Sequence, residues 1–148
     1  MRIRLSVLTA LTLVAACERR GEGERTRETA AAALRGVLLY PGSTPITVSA
    51  GADAGQLVLT TPASLQDVAT WYRRTLTSNG WELRSDAVLG DGGISISADR
   101  GRQPLWIMLR PNVGGPGTTY TLIGAISRTD TAAQRSGSSM SSKRIQRR

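Results

Sequence analysis

The sequence contains no histidine and no phenylalanine, and it has one cysteine, Cys17, and one lysine, Lys143. Without histidine the chain lacks the commonest general base, zinc ligand and catalytic-triad member. A single cysteine excludes an intrachain disulfide, and one lysine in a polar tail disfavours a serine–lysine dyad. The few carboxylates show no spacing that singles out a calcium loop or a glycosidase pair. We therefore expect a non-enzymatic protein with no catalytic, cofactor-binding or metal-binding residues.

Long hydrophobic runs are also lacking. The uncharged apolar segment 5–16 follows Arg2 and Arg4 and ends at two alanines directly before Cys17. A helix needs about 20 apolar residues to cross a bilayer, so this segment is too short to be a transmembrane helix. A basic start, a short apolar run and small residues before a cleavage point are typical of a secretory signal peptide.

The residues Val14-Ala15-Ala16-Cys17 resemble the lipobox of bacterial lipoproteins. The resemblance implies cleavage before Cys17 and acylation of its thiol and of its new amino group. Stable anchoring takes at least two acyl chains, and the resemblance implies three. By analogy with lipoprotein sorting, Glu18 favours the outer membrane in a host that has one. We expect an exported protein, held by membrane lipid through acylated Cys17 on the periplasmic side of the outer membrane.

The net charge of +8 lies outside the middle of the chain. Residues 1–16, 17–35 and 128–148 carry +2, +1 and +5, so residues 36–127 are neutral. Nucleic-acid binding normally requires a basic face on the domain itself, and we expect no nucleic-acid partner.

The predicted organisation is a signal peptide (1–16), lipidated Cys17 with a flexible charged linker (17–35), an α+β domain (36–127) and a disordered basic tail (128–148). The tail either touches an anionic surface or is simply solvated.

One segment has the pattern of an amphipathic helix. Ser64 is a typical N-cap with Asp67 three residues later, and Gly80 can supply the left-handed residue after the helix. Trp81 can then pack back on the last turn. The apolar positions that share one face of this helix are Leu65, Val68, Ala69, Tyr72 and Leu76.

Alternating apolar and polar residues predict short strands on both sides of this helix. Two precede it, a half-buried strand at 46–50 and a second strand at 57–60, and further strands follow it between residues 81 and 126. The segment 105–110 is apolar on both faces, which favours a central or doubly covered strand. The predicted fold class is α+β, a single amphipathic helix packed on one face of an antiparallel sheet of about five or six strands.

Part of this region resembles a recurrent pattern in small exported bacterial proteins. The pattern pairs an entry, here Tyr40-Pro41-Gly42-Ser43, with a capped helix that carries Trp71-Tyr72-Arg73, Leu76 and Gly80-Trp81. The layout of a helix followed by a strand meander is also similar to the helix-grip domains of BamC, an accessory lipoprotein of outer-membrane protein assembly. These resemblances imply a fold and carry no specific activity.

Three residues form a candidate partner surface: Trp71 and Arg74 on the helix, and Trp106 in the strand that is apolar on both faces. Tryptophan and arginine are favoured anchors at interfaces. In a domain with so few aromatic residues, however, a position in the core or at its edge is the more common one for both tryptophans. We expect a lipid-anchored envelope protein whose domain binds or assists another envelope protein. The alternative is a sensor or carrier of a small ligand in the periplasm. A cavity between helix and sheet would favour a ligand, and a solid core with an exposed tryptophan would favour a protein partner.

Overall fold

Six strands form one antiparallel sheet in the computed structural model, which describes residues 21–126. The strands are β1 (Thr44–Ala50), β2 (Ala54–Thr61), β3 (Glu82–Val88), β4 (Ile94–Arg100), β5 (Gln103–Pro111) and β6 (Thr118–Ala125). Their order across the sheet is β1-β2-β6-β5-β4-β3. The last strand therefore pairs with β2 in the middle of the sheet, and β1 and β3 form its two edges. The predicted α+β class and antiparallel sheet are confirmed.

The prediction of a single helix is wrong, because two helices pack on the sheet. Residues 21–33 form helix α1, and Leu65–Ser78 form helix α2. All of α1 lies in the segment 17–35, which we predicted to be a flexible linker. Ala30 and Ala33 of α1 are buried, so the helix is part of the packed domain. Its packing depends on residues distant in sequence, which is why local composition indicated a solvated tether.

The predicted caps of α2 are present. The Asp67 N–H donates to the Ser64 side chain at 3.2 Å, as expected of an N-cap. At the other end Gly80 has φ of 76°, and the Trp81 N–H donates to the Leu76 carbonyl at 3.0 Å. The Gly80 N–H donates to the Thr77 carbonyl, which completes a Schellman motif.

The hydrophobic core lies between α2 and one face of the sheet, which we call the inner face. Val68, Ala69, Tyr72 and Leu76 of α2 are all buried, as the apolar stripe predicted. Burial of this apolar surface is the main stabilising contribution to such a domain. The strands contribute Leu59, Ile94, Ile96, Ala98, Leu105, Ile107, Leu109, Tyr120 and Leu122 to the same cluster.

Two expectations about strand burial need correction. The strand at 46–50 is present within β1 but is not half-buried: Ile46 is 58% exposed, because β1 is an edge strand with a bulge between Pro45 and Thr47. The segment 105–110 lies in the interior strand β5 as predicted, but only its inner face is covered. Trp106 on its other face is 44% exposed.

Candidate functional site

An open apolar groove of about 290 Å³ lies beside α1. The groove borders the edge strand β1 and its neighbour β2 on the inner face of the sheet. Its size is at the lower end of the range for small-molecule sites, about 300–1,000 Å³. The residues that line the groove are Arg27, Ala30, Ala31, Leu34, Val37, Leu39, Val48 and Leu57.

Helix α1 forms one wall of the groove, and its close position against the sheet depends on two glycines. Gly55 of β2 and Gly124 of β6 face each other in register. A Cβ on Gly55 would lie 2.5 Å from the Cα of Ala30, and a Cβ on Gly124 would overlap the carbonyl group of Ala33. Only glycine therefore allows the helix backbone to approach the sheet this closely. The groove exists because α1 rests directly on these two strands.

The C-terminal end of α1 is held by side chains from strands β4 and β5. The Gln103 amide donates to the carbonyls of Ala33 and Arg35, each at 3.1 Å. The Arg100 guanidinium donates to the Arg35 carbonyl at 2.7 Å. The last carbonyls of a helix lack partners within the helix and carry partial negative charge, so a cation and an amide stabilise this end.

The opposite wall of the groove is the segment that connects α1 to β1. The Tyr72 hydroxyl donates to the Leu38 carbonyl at 3.4 Å, and the Tyr40 ring packs edge-on against Trp71 with 5.4 Å between centroids. The Tyr120 hydroxyl donates to the Ser43 hydroxyl at 2.7 Å. These contacts tie the segment to α2 and β6, so both walls of the groove belong to the packed domain.

The electrostatic character of the groove is simple, since Arg27 is the only charged residue among those that line it. Arg27 and Ala31 also line a second depression, together with Glu24 and Glu28. The arrangement can hold an apolar body with a polar group at the Arg27 end. Nothing among the lining residues is a nucleophile or a general acid or base.

The region between α2 and the sheet, where a cavity would have favoured the alternative of a small ligand, is filled by packed side chains. Tyr72 is 1% exposed, and burial raises the pKa of its phenol well above the ordinary value. The Tyr72 ring packs edge-on against Tyr120, with 5.6 Å between centroids. A ligand in this domain would therefore sit beside α1, at the groove, and not beneath α2.

The structure does not bring the three candidate partner residues together. Trp71 is half-buried at the edge of the core, where its ring contacts Tyr72 as well as Tyr40. Arg74 is exposed on α2. Trp106 alternates with the buried Leu105 and Ile107, so it lies on the outer face of the sheet, away from α2. The predicted single surface is thus divided between two sides of the domain, and lipidation at Cys17 lies outside the described residues.

The outer face of the sheet carries a smaller apolar area around Trp106. Trp106 is in register with Ile123 of β6, and Met108 with Thr121. Thr121 is in turn in register with Val58 of β2. Ile123, Met108 and Val58 are partly exposed, so they extend the apolar area across three strands.

The residues that build the groove were missed in the sequence because the signals are individually weak. A glycine within a strand pattern indicates a close backbone approach, and Gly55 and Gly124 both carry that signal. Ala30 and Ala33 lie on one face of a helix at a spacing of three. The two signals are connected only in the folded structure, where these alanines pack against these glycines.

Two general features of the described region bear on its chemistry. Neither helix within residues 21–126 is long and apolar enough to cross a bilayer. Over the same residues, no three histidine, cysteine, aspartate or glutamate side chains cluster as a metal site would require.

Comparison with known proteins gives one family. A family model described as START domain-like matches residues 43–121, more than half of the chain. Searches of curated proteins and of solved structures gave no match. The matched region runs from the turn before β1 into β6, so it includes α2 and every residue of the core cluster except Leu122. On this evidence the chain belongs to the START domain-like family.

Proposed function

We propose that this protein is a lipid-anchored cell-envelope protein whose domain binds an apolar small ligand in the groove beside α1. Membership of the START domain-like family supports a ligand-binding role for the domain. The observation that carries the proposal is the groove itself, whose lining residues are apolar except for one cation, Arg27. The lipobox resemblance of residues 14–17 supports the anchor and the export.

The groove selects its ligand by shape and by desolvation. Transfer of an apolar chain from water to such a surface releases about 25 cal/mol for each Å² that is buried. The floor offers Val48 and Leu57, whose side chains present no hydrogen-bonding groups. A ligand that is polar throughout would lose its hydration without compensation. We therefore expect a ligand with one apolar chain or ring system and a polar group near Arg27.

The test uses a photoactivatable decanoic acid that carries a diazirine in its chain. The purified full-length chain is reconstituted in nanodiscs and irradiated with the probe, and the adducts are located by mass spectrometry. Adducts should concentrate on peptides that carry the groove-lining residues. The variant Ala31→Trp fills the groove from its exposed α1 side and should reduce these adducts at least fivefold.

The matched control is Ala87→Trp, which adds the same side chain at an exposed position on β3, the other edge of the sheet. This variant should leave the adducts unchanged. Adducts spread evenly over the surface, or equal labelling of both variants, would contradict ligand binding in the groove.

A second candidate function is an accessory role on another envelope protein. The filled core beneath α2 and the exposed Trp106 are the combination that the sequence analysis associated with a protein partner, and tryptophan is enriched at the centres of interfaces. Ligand binding stands first because of the groove beside α1, which the sequence did not predict. Cross-linking of the anchored protein in its own cells addresses this candidate. One dominant envelope protein attached near Trp106, together with an unlabelled groove, would favour it over ligand binding.

A further inference from the structure

Two exposed apolar side chains, Leu39 and Val48, line the groove, and two more, Leu38 and Ile46, lie within two residues of them in the sequence. Leu38 and Leu39 belong to its connecting wall, and Ile46 and Val48 belong to the edge strand β1. Their exposed fractions are 51%, 43%, 58% and 37%. We call these four residues the apolar rim. Exposed apolar side chains that gather in one place mark a contact surface more often than scattered ones do.

The position of α1 restricts where the apolar rim can be in an anchored molecule. Cys17 and Gly21 are four residues apart, and an extended chain of that length spans at most about 14 Å. Since Gly21 is already helical, the start of α1 must lie within that distance of the acylated residue. Arg27, on the groove, lies only about 9 Å further along the helix. The anchor therefore holds the groove side of the domain close to the lipid headgroups.

From these two observations we infer that the apolar rim docks on the bilayer surface, so that the groove opens toward lipid. The inference rests on the proposed anchor at Cys17. A long flexible linker would have left the domain free to turn any face to the membrane. A helix packed on the sheet, with only three residues between it and the anchor, removes most of that freedom.

The charge near the apolar rim indicates the type of membrane contact. Residues 21–35 contain three arginines and three glutamates, so this part of the domain has no net charge. Attraction to anionic headgroups would require a basic excess. Contact through the apolar rim should therefore be insensitive to salt, unlike contact through a polybasic surface.

The experiment uses the fact that acylated Cys17 has no free thiol. A cysteine introduced at Leu39 or Val48 is then the only reactive one, and it can carry an environment-sensitive nitrobenzoxadiazole label. The lipidated full-length chain is placed in vesicles of phosphatidylethanolamine and phosphatidylglycerol, with and without doxyl-labelled lipid. Two control positions are Val113→Cys and Val88→Cys, which are 104% and 74% exposed and lie away from the groove.

Doxyl lipid should quench the labels at positions 39 and 48 at least threefold more strongly than those at 113 and 88. Iodide in the water should show the opposite order, and 1 M salt should change neither result. Equal quenching at all four positions would overturn the inference. Labels at 39 and 48 that are protected from iodide but not quenched by doxyl lipid would also overturn it, since a second copy or another protein would then cover the rim.

Mass spectrometry of the N-terminal peptide separates failure of this inference from failure of the anchor. An unacylated Cys17 would contradict the anchor itself. An acylated Cys17 with equal quenching at all positions would leave the anchor in place and contradict only the docking of the apolar rim.

Discussion

At the scale of single residues, the aromatic side chains connect the groove wall to the core. Tyr40, Trp71, Tyr72 and Tyr120 form a continuous series of edge-to-face contacts with centroid distances of 4.8–5.6 Å. Such pairs add about 0.5–1.5 kcal/mol each beyond the area that they bury. Trp71 is central in this series, so it has the position at the edge of the core that the sequence analysis weighed against a partner role.

We expect Trp71→Ala to lower the free energy of unfolding by about 2 kcal/mol, less than the 3–5 kcal/mol typical of fully buried aromatic residues. The reason is the loss of two edge-to-face contacts at a half-buried position. Chemical denaturation measures the change. Arg74→Ala, at an exposed neighbouring position, is the control and should have an effect below about 0.5 kcal/mol. An effect of Trp71→Ala below about 0.5 kcal/mol would contradict a structural role for Trp71 and would favour a surface role.

One ion pair links α2 to the edge strand β3. The Arg73 guanidinium donates to both carboxylate oxygens of Asp86, and this hydrogen bonding holds the pKa of Asp86 below its ordinary value of 3.8. A carboxyl group with a lowered pKa in the folded state stabilises the fold above its unfolded pKa. The stabilisation is lost as the pH falls through the folded pKa. Both side chains are about one-third exposed, so solvent screening limits the contribution to below about 1 kcal/mol.

The corresponding prediction concerns acid stability. In Asp86→Asn the free energy of unfolding should fall slightly less steeply as the pH drops below 4. At pH 7 it should be lower than that of the unchanged protein by less than about 1 kcal/mol. Denaturation curves at pH 3 and pH 7 measure both effects. Asp67→Asn is less suitable for comparison because the Asp67 carboxylate accepts a hydrogen bond from Ser64, the N-cap of α2. Asp53→Asn in the β1–β2 turn is the better control. An unchanged pH profile in Asp86→Asn would show that the pair contributes nothing measurable.

At the scale of elements, the packing of α1 decides whether a groove exists. The helix lies against Gly55 and Gly124, and its end is held by Gln103 and Arg100. A side chain at either glycine would displace the helix, since the clash is with its backbone. Displacement of α1 would remove one wall of the groove and leave α2 and the core in place.

We therefore expect Gly124→Ala to detach α1 selectively. Amide hydrogen exchange in residues 21–33 should increase at least tenfold, with little change in α2, at a cost of about 1–3 kcal/mol for the overpacked contact. Exchange measured by mass spectrometry resolves the two helices. Gly90→Ala is the matched control, because a Cβ there meets no atom within 4 Å and the backbone φ is not positive. Uniform exchange across both helices would contradict independent packing of α1.

At the scale of the whole molecule, the proposed anchor and the domain would be closely coupled. The predicted flexible spacer is replaced in large part by a packed helix, so a lipid on Cys17 would restrain the orientation of the domain as well as its location. The proposed groove and the apolar rim both lie on the side where α1 packs. Binding and anchoring would then use the same side of the molecule.

Replacement of Cys17 by serine should move the protein from the membrane fraction to the soluble fraction of the envelope or block its processing. The physical reason is the loss of the acyl chains, whose burial contributes about 0.8 kcal/mol per CH₂ group. Fractionation and immunoblotting measure the distribution. Ser6→Ala, within the predicted signal peptide, is the control and should leave anchoring intact. Unchanged retention of a processed Cys17→Ser protein in the membrane would contradict the lipid anchor.

Local patterns predicted those elements whose ends and faces are encoded by neighbouring residues. Ser64, Asp67 and Gly80 marked the ends of α2, and the apolar stripe from Leu65 to Leu76 marked its buried face. The sheet was predicted as antiparallel because its strands are short and joined by turns. The groove could not be predicted in this way. Its walls come from α1, from the connecting segment and from β1 and β2, and no local pattern encodes their contact.

The sequence by itself determined the α+β class, the capped helix α2, the neutral charge of the domain and the absence of histidine chemistry, because each depends on composition or on residues close in the chain. The lipid anchor stays a prediction from the residues around Cys17. Tertiary structure alone decided that residues 21–33 pack as a second helix and that Trp71 and Trp106 lie on different sides. For α1 the reason is the register of Gly55 with Gly124, which brings together segments almost seventy residues apart and lets the α1 backbone approach the sheet. For the tryptophans it is the alternation along β5, which places Trp106 on the face away from α2.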